Sequence, residues 1–272
     1  STYRLMDLSS AESAWSYITQ SPELSLSSEG ISCIDSFLSS DRSDTATLHS
    51  LLHTLDAIVT PRWEHVALSC LLHLRILQMG YEGADRVCMK QISLCIEHTE
   101  PRVRSLACRL IHQLAKSYGF QVFDDIYDII LLCVSANEER ETTTRPVVLG
   151  NETEVDLDEV TGWRALETSY TAFKELIRGT CQYVQGLNEE LSLEGRECLW
   201  RRSSLIPLDA VAYDRFITSA ALHVNRYVRQ ACCELISVLC VGCPAGGIPP
   251  QPATEYVAAV RDALAIGLQD SW

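Results

Sequence analysis

A fifteen-residue pattern occurs twice in the chain, and it constrains the fold more than any other feature of the sequence. The segments PRVRSLACRLIHQLA, from residue 101, and RYVRQACCELISVLC, from residue 226, overlay without a gap. Apolar residues at positions i, i+3, i+4 and i+7 line one face of an α-helix. The overlay has this spacing and aligns Ala107 with Cys232, Leu110 with Leu235, Ile111 with Ile236 and Leu114 with Leu239.

Two weaker copies of the pattern begin at Pro61 and Gly162, with Trp63 and Trp163 in the place of Val103. The copies are separated by 103 − 63 = 40, 163 − 103 = 60 and 228 − 163 = 65 residues. Repeats made of two or three helices have periods of about 40–47 residues, so the longer spacings indicate one repeat plus an insertion. Trp272 lies 272 − 228 = 44 residues after Val228, so we expect the chain to stop within a further repeat.

The periodicity elsewhere is helical, and no alternation typical of strands joined by hairpin turns is present. First helices are predicted at about 45–59, 83–98, 122–136 and 208–223, and the second helices that follow them at about 61–79, 101–118, 162–178 and 225–241. A separate short helix is predicted at about 181–185. The acidic stretch from about 137 to 160 is predicted to be a loop insertion, solvated or able to dock a basic partner. The predicted fold class is therefore all-α.

The Val-Arg pair followed by a small residue and then leucine and isoleucine resembles the HEAT-repeat family of armadillo-like helical proteins. The likeness is strongest at Val103–Leu114 and Val228–Leu239. It implies a right-handed α-α superhelix of roughly five helical hairpins, forming a single domain over residues 1–272. In such repeats the arginine commonly joins polar contacts between neighbours, which implies a structural ladder of Arg104, Arg164 and Arg229. Glu64, at the same position in the first copy, departs from the pattern.

The charge of the chain disfavours several classes of partner. The formal net charge is −14, with 36 acidic and 22 basic residues. Binding to a phosphate backbone needs clusters of lysine and arginine, so we expect no nucleic-acid binding and no binding to an anionic membrane. The longest apolar runs are too short to span a bilayer. The twelve cysteines fall mainly on apolar helix faces, which favours a reducing compartment, the cytoplasm or alternatively the nucleus.

Candidate catalytic or metal-binding residues are few. His49, His53 and Asp56 share one helix face, and Cys240 and Cys243 form a lone CxxC motif. A solvated polar face and core cysteines before a glycine terminator are the simpler interpretations. No nucleophile motif or phosphate-binding loop is present, so the chain is predicted not to be an enzyme and to need no cofactor or metal.

The residues at the turns before the second helices are the candidate partner-binding ridge. In a stack of repeats they would lie along one edge, where arginine and aromatic groups favour protein interfaces. The alternative is that the tryptophans pack between repeats, because valine occupies the same position in the other copies. The ridge comprises Arg62, Trp63, Arg102, Trp163, Arg164, Arg226 and Tyr227.

The predicted function is a non-enzymatic scaffold or adaptor for protein–protein interaction, within a larger chain or complex. The alternative is a tubulin-binding or cytoskeletal module like the TOG domains of the same superfamily, which the ridge resembles. A metal-dependent or catalytic domain is the third and weakest hypothesis.

Overall fold

The computed structural model describes residues 48, 52, 53, 62–80, 84–144, 162–187, 217, 219–221, 223 and 225–241. Within these residues every regular element is a helix, which confirms the predicted all-α class there. The helices are α1 (Trp63–Gln78), α2 (Ala84–Cys95), α3 (Pro101–Tyr118), α4 (Phe120–Thr144), α5 (Trp163–Leu187), α6 (Ser219–Ala221) and α7 (Arg226–Val241). Most of the helices predicted at 45–59 and 208–223 lie outside the described residues.

The helices pack in two rows. Helices α1, α3, α5 and α7, which begin at the four copies of the pattern, contact one another in chain order. The preceding helices α2 and α4 also contact each other, and each packs on the helix that follows it. The hairpins α2–α3 and α4–α5 thus each have one helix in each row.

Two contacts between α3 and α5 show that these patterned helices lie parallel. Arg104, near the start of α3, contacts Thr168, near the start of α5. Further along the same two helices, His112 Nδ1 lies 3.0 Å from Glu175 Oε2. The amino-terminal ends of these helices therefore lie on one side of the molecule.

The core includes the described positions that the repeat predicts. The small residues Ala67, Ala107 and Cys232 have no exposed surface. The described leucines and isoleucines that follow them on the same face are buried, namely Leu71, Leu74, Leu110, Ile111, Leu114, Leu235 and Ile236. Full burial of a leucine or isoleucine contributes roughly 1.5–3 kcal/mol, so these faces supply much of the stabilisation.

The helix ends have local causes that are visible in the sequence. Pro101 occupies the first turn of α3, where the missing N–H costs no hydrogen bond. Gly80 and Gly119 follow α1 and α3 with positive φ angles of 71° and 56°, which glycine adopts readily. The Asn225 side chain accepts a 2.9 Å hydrogen bond from Tyr227 N at the start of α7.

Helix α5 is longer than predicted, because it passes through Gly179 and continues to Leu187. The predicted end near Arg178 and the separate helix at 181–185 are therefore wrong. A Cβ atom at Gly179 would overlap the backbone oxygen of His112 and the side chain of Ala115 in α3. This glycine permits a close approach of two helices and does not end one.

Helix α4 also exceeds its prediction, because residues 137–144 of the expected acidic loop are helical. Asn137 is fully buried, and its amide donates 2.7 Å hydrogen bonds to Cys133 O and to Glu97 Oε1. The predicted loop start at about 137 is thus wrong, because residues 137–144 belong to α4. Residues 145–161 lie outside the described residues.

Candidate functional site

The seven residues of the predicted ridge lie at the amino-terminal ends of the four patterned helices. We call these seven residues the turn edge: Arg62, Trp63, Arg102, Trp163, Arg164, Arg226 and Tyr227. Arg62 caps α1, and the others occupy the first or second residue of their helices. Because the four helices lie side by side in chain order, the turn edge runs across successive hairpins.

One aromatic contact joins α1 to α3. The guanidinium carbon of Arg102 lies 5.0 Å from the ring centroid of the partly buried Trp63. The Arg102 side chain remains 48% exposed and lies 3.5 Å from a Glu100 carboxylate oxygen. Arg62 donates a 3.2 Å hydrogen bond to the buried carboxylate of Glu64. Two acidic side chains therefore partly neutralise this end of the turn edge.

A second aromatic contact joins α5 to α7. The rings of Trp163 and Tyr227 stack with centroids 5.5 Å apart and planes at 21°. Arg164 lies over the Trp163 ring at 5.3 Å and Arg226 over the Tyr227 ring at 4.8 Å. Trp163 is 9% exposed, whereas Tyr227 is 39% exposed. The indole therefore packs between neighbouring helices and the two arginines remain at the surface.

The same edge thus combines packing with exposed charge. The tryptophans contact the neighbouring patterned helix, as the packing interpretation of the sequence expects. Arg102, Arg164 and Arg226 are nevertheless exposed and lie over aromatic faces. A guanidinium over an aromatic ring is attracted by about 0.5–1 kcal/mol at an exposed site, which holds the arginine in a defined place.

The three arginines predicted to form a structural ladder have different surroundings. Arg104 is buried, and it donates to Thr168 Oγ1 at 2.9 Å, to His98 O at 2.9 Å and to Thr99 O at 3.0 Å. It therefore joins its own turn to the next patterned helix. Arg229 donates to His223 O at 2.7 Å within its turn. Arg164 is exposed and stacks on Trp163 at the turn edge.

Two histidines complete the turns at Arg104 and Arg229, and the sequence reasoning missed them. His98 Nδ1 accepts a 3.0 Å hydrogen bond from Glu100 N, and His223 Nδ1 accepts one of 3.0 Å from Asn225 N. Each histidine carbonyl accepts from the arginine six residues later. The sequence contained a signal for these histidines, because the histidine and the arginine keep the same spacing in both copies of the pattern: 223 − 98 and 229 − 104 both equal 125.

A polar network further along the helices was also missed. Lys174 of α5 donates a 2.5 Å hydrogen bond to Glu234 of α7, and Arg178 donates one of 3.0 Å to Glu175. Burial alone would raise the pKa of Glu175, but the hydrogen bond from His112 and the charges of Arg178 and Lys174 lower it. These carboxylates are thus held ionised between α3, α5 and α7.

The candidate metal positions are only partly described. His53 is helical and exposed, whereas His49 and Asp56 lie outside the described residues. Cys240 belongs to α7, and Cys243 lies beyond the described part of the chain. Across the residues that the structure describes, no cluster of three or more histidine, cysteine, aspartate or glutamate side chains could hold a metal ion.

Comparison of the chain with family models, curated proteins and solved structures found no match. None of the described helices is both long and apolar enough to cross a membrane.

Proposed function

We propose that this chain is a HEAT-like solenoid that acts as a non-enzymatic scaffold and binds protein partners along the turn edge. The packing of α1, α3, α5 and α7 beside one another in chain order supports the solenoid part of the proposal, because stacked hairpins bury the faces that single hairpins leave exposed. A right-handed superhelix of about five hairpins follows from the same proposal.

The observation that carries the binding role is the exposure of Arg102, Arg164 and Arg226 within the first two residues of three successive patterned helices. The chain as a whole has a formal net charge of −14. Three arginines on one edge therefore offer a local cationic surface on an acidic body. Their aromatic neighbours hold them in place, which lowers the entropy lost when a partner binds.

The partner that this chemistry fits is a protein surface carrying carboxylates. Arginine pairs with a carboxylate through two parallel hydrogen bonds, which gives both affinity and orientation. Nucleic acid is not proposed, because the chain contains only three lysines, Lys90, Lys116 and Lys174. No cofactor or metal is needed, and a cytoplasmic or nuclear location is proposed.

A matched pair of charge variants tests this proposal. The edge variant carries Arg102→Glu, Arg164→Glu and Arg226→Glu, and the control carries Lys90→Glu, Arg109→Glu and Lys116→Glu, all exposed residues away from the edge. Both variants change the net charge equally. Partners captured by the tagged wild-type protein and identified by mass spectrometry should be retained by the control and lost from the edge variant. Equal capture by both variants would show that the edge does not bind.

Tubulin binding is the second candidate function, favoured by the arginine–tryptophan contacts at the turns. Tubulin is acidic, and TOG domains use their turns to bind it. In co-sedimentation with microtubules and gel filtration with tubulin dimers, the wild type and the control variant should bind and the edge variant should not. Failure of the folded wild-type protein to bind either form of tubulin would eliminate this candidate.

A further inference from the structure

Two buried thiols, Cys70 and Cys95, meet where α1 packs on α2. Their Sγ atoms are 3.5 Å apart, and the two residues are 25 positions apart in the chain. Both thiols are reduced, and neither residue has exposed surface. A disulfide has an S–S length of about 2.05 Å, so the sulfurs need to approach by only about 1.5 Å to form one.

The surroundings of this pair differ from those of other core cysteines. Cys108 and Cys232 direct their thiols at backbone oxygens of Thr168 and Ile217. By contrast, Gln91 Nε2 lies 3.3 Å from Cys95 Sγ and 3.7 Å from Cys70 Sγ. Gln91 is partly exposed, so its amide connects the buried sulfurs to the protein surface.

The hydrogen bonds give the two sulfurs different roles. The hydrogen bond between the two thiols, in which either sulfur can be the donor, and the hydrogen bond from Gln91 lower the pKa of Cys95. The same hydrogen bond and burial raise the pKa of Cys70. A thiolate is the nucleophilic form of cysteine, so Cys95 is the sulfur prepared to react first.

We propose that Cys70 and Cys95 are an oxidation site, at which a peroxide converts the two thiols into a reversible disulfide. The bond would join α1 to α2, and therefore the patterned helix of one hairpin to the first helix of the next. Cys95 is the last residue of α2, so a small opening of that helix end gives the oxidant access.

The reaction balances with hydrogen peroxide as the oxidant. The Cys95 thiolate attacks one peroxide oxygen, an S–O bond forms, the O–O bond breaks, and the departing hydroxide takes up a proton. The Cys70 sulfur then loses its proton and attacks Cys95, forming the S–S bond as the S–O bond breaks and a second water leaves. The thiols lose two electrons and two protons in total, and one peroxide becomes two waters.

Peptide mapping tests the proposal directly, because cleavage after lysine and arginine separates the three cysteines of this region. Cys70 falls in the peptide from Trp63 to Arg75, Cys88 in that from Val87 to Lys90, and Cys95 in that from Gln91 to Arg102. Full-length protein is treated with hydrogen peroxide, the peroxide is removed, and the protein is denatured in the presence of an alkylating reagent and then digested. We expect the first and third peptides to appear linked, with a mass lower by two hydrogens than the sum of the two reduced peptides. Reduction should separate them.

Variants and a stability measurement extend the test. Cys88→Ala should still form the link, and Cys70→Ala should not. The linked protein should melt several degrees higher, because the cross-link restricts the unfolded chain. Cys108 serves as the internal reference, and Cys70 should lose its free thiol at least about tenfold faster than Cys108.

Several outcomes would overturn the proposal while the circular dichroism spectrum stays helical. One is recovery of Cys70 and Cys95 as separate alkylated peptides under conditions that oxidise an added model dithiol. Others are a link from Cys88 to either residue, or oxidation of Cys95 to a sulfinic acid without a link. The wild-type map alone distinguishes these results, so the test holds even if Cys70→Ala fails to fold.

Discussion

Arg104 shows at the residue scale how one buried charge can hold two hairpins together. Its guanidinium has three acceptors, two on its own turn and one on α5. Burial lowers the pKa of Arg104, although an arginine remains charged at neutral pH. These hydrogen bonds offset the free-energy cost of burying the charge. Removal of the guanidinium would leave their acceptors without this donor.

Replacing Arg104 should therefore destabilise the protein strongly. We expect Arg104→Leu to lower the free energy of unfolding by about 2–4 kcal/mol, because buried hydrogen bonds to a charged group are lost. Arg109→Leu, at an exposed position of the same helix, should change it by less than about 0.5 kcal/mol. Urea unfolding followed by circular dichroism measures both, and equal effects would contradict the role assigned to Arg104.

His98 makes the stability of the folded protein depend on pH. Burial lowers the pKa of His98 below its ordinary value of 6.5, so the unfolded chain binds this proton more readily than the folded protein. The contribution of His98 to stability is therefore complete above about pH 6.5 and is lost as the pH falls through the lowered pKa.

The variant His98→Asn should reduce this dependence, because an asparagine oxygen can accept the same N–H of Glu100 without titrating. Stability measured by urea unfolding should fall less between about pH 7 and about pH 5 in the variant than in the wild type. His53→Asn, at an exposed position, is the control for the substitution itself. An unaltered profile in His98→Asn would show that another group controls it.

At the element scale, helix α5 contains two glycines that differ in their neighbours and in their place along the helix. Gly179 faces α3 at a distance that admits no side chain, whereas a Cβ atom at Gly186 would meet no atom within 4 Å. Glycine inside a helix is ordinarily less stable than alanine by roughly 0.5–1 kcal/mol, because the unfolded chain has more freedom. The two positions should therefore respond to alanine with opposite signs.

We expect Gly179→Ala to destabilise the protein by about 1–3 kcal/mol, since α3 and α5 would have to separate. Gly186→Ala should be neutral or stabilising by up to about 0.5 kcal/mol, because it lies in the last turn of the helix. Thermal unfolding of the two variants beside the wild type measures the contrast. Stabilisation by Gly179→Ala would show that the two helices do not approach as closely as described.

The patterned helices of the whole molecule are joined pairwise by different means. An aromatic–arginine contact joins α1 to α3, Arg104 joins α3 to α5, and both a ring stack and the Lys174–Glu234 pair join α5 to α7. In a protein built of repeats, stability is approximately the sum of such neighbouring contacts. Each link should therefore be measurable separately.

A double-mutant cycle measures the link between α5 and α7. Lys174→Met and Glu234→Gln should show a coupling of about 0.5–1 kcal/mol, near the low end because the Glu234 side chain is 45% exposed. Burial would raise the pKa of Glu234, but Lys174 and Gln230 lower it from 4.5. The coupling should thus be present at neutral pH and lost as the pH falls below 4.5 through the lowered pKa. Additive effects at neutral pH would show that the pair does not join the helices.

The sequence by itself determined the helices, their buried faces and most of their ends in the described residues. Apolar spacing, a proline at a first turn and a glycine after a last turn act within a few residues, so local reasoning reaches them. The burial of Ala67, Ala107 and Cys232 was predicted in this way, and the all-α class followed.

Only the tertiary structure decided which groups of the neighbouring helix contact each position. Arg104 and Arg164 occupy the same place in the repeat, yet one is buried against Thr168 and the other stacks on Trp163 at the surface. The helix predicted to end near Arg178 continues through Gly179, which contacts α3, and the approach of Cys70 to Cys95 joins residues 25 positions apart. Such features depend on the distance between two helices, and no periodicity within one helix encodes that distance.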